Sequence, residues 1–115
     1  LQSILNENSV YAGNGGAINA TGNVSIAHSE VLNNHRSDLY TPGNGGAVNS
    51  DGNIVVTNST VGHNYLWVGN GGSLNATGSV SITSSEFVNN LVSLGNGGAV
   101  NSVGNGFSLN RCASL

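Results

Sequence analysis

The sequence predicts an all-β chain, a parallel β-helix of about four coils with about 26 residues per coil. Three observations lead there. The tetrapeptide Gly-Asn-Gly-Gly recurs at residues 13–16, 43–46, 69–72 and 95–98, each time followed by a small residue, an aliphatic residue and Asn. Between these marks apolar and polar residues alternate with the period of a strand, and no stretch shows the period of a helix. The alternating aliphatics also fall into columns, one member per repeat, as they must if each strand pairs with its equivalent one coil on.

The coils are expected over 13–42, 43–68 and 69–94, with partial coils over 1–12 and 95–115. The first inward column is Ile18, Val48, Leu74 and Val100. Beyond a Gly-Asn or Gly-Ser turn come Val24, Ile54 and Val80, then Ile26, Val56 and Ile82; a fourth column is Leu5, Val31, Val61 and Phe87. Ahead of each glycine run, Val10, Tyr40, Leu66 and Val92 align, followed two residues later by Ala12, Pro42, Val68 and Leu94. These alternate with Tyr11, Thr41, Trp67 and Ser93, which are expected to face outward. The chain is expected to turn about three times per coil.

Two irregularities test this register. The first repeat is four residues longer, and the excess falls in the stretch from His35 to Pro42, which holds the only proline. A loop bulging from a corner is expected there, since solenoids accept insertions at corners. Near the end, Gly104-Asn105-Gly106 carries one extra residue, so that Phe107 and Leu109 take the places of Val80 and Ile82.

Polar residues recur as regularly as apolar ones. Asn8, Asn34, Asn64 and Asn90 share one position, and Asn14, Asn44, Asn70 and Asn96 another; stacked asparagines can pass hydrogen bonds along the axis. Both columns are read as structural ladders. Asn and Gly also tolerate the left-handed backbone that corners demand.

Composition narrows the function classes. Only 6% of residues are charged, and five carboxylates face two arginines for a net charge of -3, so no basic stripe exists to neutralise phosphates. A single cysteine, Cys112, cannot form an internal disulfide and is expected to be a small half-buried residue. No Cys or His spacing suits a metal, and no cofactor is expected. No segment is apolar enough to span a membrane, and the start has neither an initiator Met nor a signal-like leader, which fits an excerpt of a longer chain.

Gly-Gly-Ala-Ile at 15–18 and Phe-Val-Asn-Asn at 87–90 resemble the GGA[ILV] and FxxN repeat of the chlamydial polymorphic membrane proteins. Gly-Gly-Ala-Val at 45–48 and 97–100 and Gly-Gly-Ser-Leu at 71–74 extend the likeness along the chain, while Leu5, Val31 and Val61 stand where the repeat has Phe. The resemblance implies a right-handed parallel β-helix and an extracellular or cell-surface location. Such repeats build shafts, adhesins and passive scaffolds alike, so the fold alone does not set the function.

Catalysis has a weak basis in these residues. Sugar-acid chemistry on a β-helix needs converging carboxylates, whereas Glu30 and Glu86 are expected two coils apart with Thr60 between them. His28, His35 and His63 are dispersed. The glycine-rich turns lack the Lys or following helix of a phosphate loop, and they lack the aspartate of a calcium-binding nonapeptide. Only Thr57 and Thr83 align on the outer face that a regular ice-binding surface would need.

Glycosylation sequons begin at Asn19, Asn23, Asn58 and Asn75. Asn19, Asn23 and Asn75 flank inward aliphatics and are expected to face solvent. Tyr11, Tyr65 and Trp67, with Tyr40 in the inserted stretch, are candidates for contact with a partner or a sugar. The leading reading is a structural piece of a fibre, stalk or shaft that stacks end to end or continues into a longer array. A surface adhesin or carbohydrate-contacting module is the alternative, and a polysaccharide-active enzyme comes third.

Overall fold

The computed structural model describes residues 4–6, 8–10, 13–36, 42–104 and 107–110. These residues form 17 short strands and no helix, so none is long and apolar enough to cross a membrane. In chain order they are β1 (Ile4–Asn6), β2 (Ser9–Val10), β3 (Ile18–Ala20), β4 (Val24–Ala27), β5 (Glu30–Leu32), β6 (His35–Arg36), β7 (Gly43–Asn44), β8 (Val48–Ser50) and β9 (Ile54–Thr57). There follow β10 (Thr60–Gly62), β11 (Tyr65–Asn70), β12 (Leu74–Ala76), β13 (Val80–Thr83), β14 (Glu86–Val88), β15 (Leu91–Asn96), β16 (Val100–Ser102) and β17 (Phe107–Asn110).

Four parallel sheets run along the axis, in the orders β1-β5-β10-β14, β15-β11-β6-β2, β16-β12-β8-β3 and β17-β13-β9-β4, with β7 also paired to β11. The molecule is thus a parallel β-solenoid of three full turns flanked by partial ones. Each coil has four sides, one more than the expected three. The added side is the segment ahead of the glycine run, which bonds as a true sheet.

The predicted columns hold. Ile18, Val48, Leu74 and Val100 are register partners, as are Leu5, Val31, Val61 and Phe87. Val80 pairs with Ile54 and Phe107, so the extra residue before Phe107 is absorbed at the turn. Val31, Val48, Ile54, Val56, Val61, Leu74, Ile82 and Phe87 are wholly buried and form one continuous core down the axis. Strand spacing of roughly 4.8 Å puts each of these side chains in contact with its equivalents above and below.

Four corners give the coil its cross-section, and each has a local cause. Positive φ is held by His28, Asn58 and Ser84 at one corner, between 48° and 50°, and by Asn33, His63 and Asn89 at the next, between 51° and 56°. His28 and His63 are therefore corner residues, in a conformation that Asn and His adopt more readily than most side chains. At the Gly-Asn-Gly-Gly corner the third residue takes φ of 66° to 72°, and a Cβ on Gly45 would overlap the Val48 carbonyl. The fourth glycine meets a different limit, because a Cβ on Gly46 would run into the Gly72 carbonyl of the next coil.

The insertion departs from expectation. Val10 pairs with Arg36, 26 residues on, whereas Arg36 pairs with Leu66, 30 residues on. The inward place expected for Tyr40 thus belongs to Arg36, and the four added residues lie between Arg36 and Gly43. Tyr40 itself, with Tyr11 and Cys112, lies outside the described residues. Where β11 and β15 run unbroken, this coil leaves the sheet after Arg36 and rejoins it at Gly43.

The Arg36 side chain bridges that break. It is 1% exposed, its Nε donates to the Gly13 carbonyl, and its guanidinium lies where a side chain on Gly43 would have to sit. A permanently charged group is tolerated in such a place when its N–H donors find acceptors. Arg36→Leu matches the aliphatic column yet removes the donors, and it is expected to lower unfolding free energy by about 2–3 kcal/mol in urea titration. A neutral or stabilising result would show that packing alone holds the break.

Candidate functional site

No cleft with converging chemistry emerges among the described residues; the organised polar features are ladders. The innermost is the column Asn8, Asn34, Asn64 and Asn90. The main-chain N–H and Nδ2 of Asn8 both donate to Asn34 Oδ1 at 2.9 Å, and those of Asn34 donate to Asn64 Oδ1 at 2.9 and 3.1 Å. Asn64 repeats the pattern to Asn90 Oδ1 at 3.2 and 3.0 Å, and its Nδ2 also reaches Val31 O and Ser73 Oγ. Asn34 and Asn64 are fully buried, and no buried side-chain polar atom lacks a partner among the described residues.

The sequence explains the placement. Each of these asparagines follows a left-handed residue, Asn33, His63 or Asn89, which turns the strand and aims the next side chain along the axis. The neighbouring corner repeats the device with serine: after His28 and Asn58, Ser29 N–H donates to Ser59 Oγ and Ser59 N–H to Ser85 Oγ, both at 3.1 Å.

The second predicted ladder runs the other way. Asn44 N–H donates to Asn14 Oδ1 at 2.9 Å, Asn70 Nδ2 to Asn44 Oδ1 at 3.3 Å and Asn96 Nδ2 to Asn70 Oδ1 at 3.1 Å. A third ladder was not anticipated. Asn49 Nδ2 donates to Asn19 Oδ1, Asn75 Nδ2 to Asn49 Oδ1 and Asn101 Nδ2 to Asn75 Oδ1, at 2.8 to 2.9 Å. Its signal was present in the sequence, as the Asn that ends each glycine-run repeat.

This third ladder corrects the expected exposure of Asn75. Although it alternates with inward Leu74, it is 5% exposed and its Nδ2 is committed to Asn49. A glycan on that nitrogen is incompatible with the rung. Asn19 is exposed at the start of the ladder, Asn58 is exposed at a left-handed corner, and Asn23 is exposed with its Oδ1 taking the Asn53 N–H at 2.8 Å.

Tyr65 and Trp67 do come together. They alternate with buried Leu66 on the outer face of β11, with ring centroids 5.2 Å apart and planes at 84°. Tyr65 Oη and Ser93 Oγ are 2.6 Å apart, so Tyr65 is tied to the next coil, while Trp67 stays 39% exposed. Glu30 and Glu86 flank Thr60 in register, one coil to either side, and do not meet. Among the described residues no three of His, Cys, Asp and Glu gather.

The fold and these ladders define the class of protein, a parallel β-solenoid. Comparison with protein-family models, curated proteins and solved structures found no match.

The ladders differ in burial, and that sets their energetic weight. Asn64→Leu strands the two donors of Asn34 in a dry interior and is expected to cost about 3 kcal/mol or more. Asn70→Ala, in the half-buried ladder, is expected to cost about 1 kcal/mol. Urea midpoints of the two variants at unchanged slope test the order, and equal losses would remove the distinction between inner and outer ladders.

Proposed function

We propose that the chain is a structural segment of an extracellular or cell-surface fibre, stalk or shaft, lengthened by stacking one β-helical coil on the next. The observation that carries this reading is the fixed direction of each ladder. In the outer Asn19 ladder every rung is donated by the later coil, which leaves an Nδ2 donor on Asn19 at the early face and an Oδ1 acceptor on Asn101 at the late face. The inner ladder is reversed and presents Asn8 Oδ1 at the early face and the Asn90 N–H at the late one.

Two copies set head to tail meet donor to acceptor in each of these ladders. Head-to-head contact sets like groups against each other. The last described coil also exposes Leu91, Leu94 and Val103, apolar side chains that a further coil would cover. Such a coil can come from a second copy or from the same polypeptide, and a head-to-tail contact between copies propagates as a filament. The surface setting rests on the likeness of the Gly-Gly-Ala-Ile and Phe-Val-Asn-Asn repeat to secreted β-helices. Negative-stain microscopy and sedimentation at micromolar concentration are expected to show filaments one solenoid wide, shortened by the pair Asn19→Ala and Asn101→Ala. Monomeric particles at every concentration would sink self-assembly.

A second reading is favoured by Trp67, an indole held edge-on by Tyr65 with its surface partly open to solvent. Such a ring can stack on a sugar face or fill a partner's pocket. On this reading the chain binds in a glycan array, and Trp67→Ala abolishes binding while leaving the urea midpoint nearly unchanged. No binding by the unaltered chain would remove it.

A further inference from the structure

The Gly-Asn-Gly-Gly corner places four Asn-Gly pairs at equivalent positions: Asn14-Gly15, Asn44-Gly45, Asn70-Gly71 and Asn96-Gly97. Asparagine is chemically labile, and most so before glycine, where no side chain shields the amide nitrogen that attacks the asparagine side chain. The reaction needs that nitrogen free to lose its proton and swing toward Cγ.

Three of the four nitrogens are committed. Gly15 N–H donates to Asn44 O, Gly45 N–H to Asn70 O and Gly71 N–H to Asn96 O, each at 2.9 Å. The Gly97 N–H has no such bond among the described residues. The side chains differ in the same sense. Oδ1 of Asn14, Asn44 and Asn70 each accepts a bond from the following coil, whereas Asn96 is held only through its Nδ2. Asn96 is also exposed, while the other three are half-buried.

We infer that Asn96 is a site of spontaneous covalent modification, converting through a cyclic imide to aspartate and isoaspartate, and that the other three pairs are protected by the coil that follows each. The Gly97 amide nitrogen gives its proton to solvent base and attacks Asn96 Cγ. The new N–Cγ bond forms, the Cγ–Nδ2 bond breaks and ammonia leaves. Water then opens the imide: cleavage between Cγ and nitrogen yields aspartate, and cleavage between the main-chain carbonyl and nitrogen yields isoaspartate. One water is consumed and one ammonia released, with no oxidant or reductant.

The change does not stay local. A carboxylate at position 96 cannot donate to Asn70 Oδ1, so the 3.1 Å rung is lost and a negative charge faces that acceptor. Isoaspartate also lengthens the main chain at a corner whose next residue must hold a φ of 66°. Either product loosens the last coil.

The test uses the whole 115-residue chain, folded, incubated at mildly alkaline pH. High dilution keeps any end-to-end association from covering Gly97, so this result is independent of the assembly proposed above. Peptide mapping by mass spectrometry follows amide loss and isoaspartate at each pair. Asn96 is expected to convert about tenfold or more faster than Asn14, Asn44 and Asn70, since reaction there requires no opening of an inner coil. In unfolding urea all four should convert at similar rates, because each lies in the same Gly-Asn-Gly-Gly context. Equal rates in the folded chain, a faster inner site, or an Asn96 that reacts only when unfolded would overturn the proposal.

Discussion

A coil of this chain cannot close its own hydrogen bonds. The strand N–H and C=O groups lie along the solenoid axis, and they are satisfied only by the coil before or after, in a register fixed at every strand. That pairing is the constraint on which the rest depends. It sets like residue above like residue, so a side chain suited to one coil must also suit contact with its own equivalent. Aliphatics meet this requirement by packing and amides by donating and accepting in turn; stacked charges do not meet it, which accounts for a charged content of 6%.

The corners show how the same constraint is met where strands end. A left-handed residue turns the chain, and the next residue supplies a side-chain oxygen for the N–H of the coil before. Asn33 with Asn34, His63 with Asn64 and Asn58 with Ser59 are all instances. The inner ladder points its donors toward the later coil and the Asn19 and Asn14 ladders point theirs toward the earlier one, so the amide dipoles of core and surface oppose each other. The solenoid has a clear axial sense in each ladder without summing all of them in one direction.

Much of this was legible in the sequence, and the failures have physical reasons. Period-two alternation between repeated turns is enough to assign each aliphatic to a column, because the buried face of a parallel strand admits little else; Val31, Val61 and Phe87 follow at once. Arg36 was not assignable, since pattern favours a tyrosine over a charged residue at an inward position, and only the shift of register between Val10 and Leu66 shows that the strand stops there. Asn75 misled for another reason. Alternation shows which side of the strand a residue leaves from, but its burial depends on the amides of Asn49 and Asn101 above and below. Trp67 was readable as outward; its edge-on contact with Tyr65 was not, because both occupy the same face and rotamers decide whether they touch.

The bridging of the strand break by Arg36 bears on how such a chain can change over generations. Gain or loss of a whole 26-residue unit leaves every remaining contact as it was, because each coil touches only its neighbours. A change within a coil is different, since it displaces all later residues from their partners unless the surplus is expelled at one point. Between Arg36 and Gly43 four residues are expelled, and one long side chain with several donors spans what they vacate. Variation in length by whole repeats is therefore nearly free for this architecture, whereas variation by parts of a repeat is confined to places where a single residue can stand in for missing backbone.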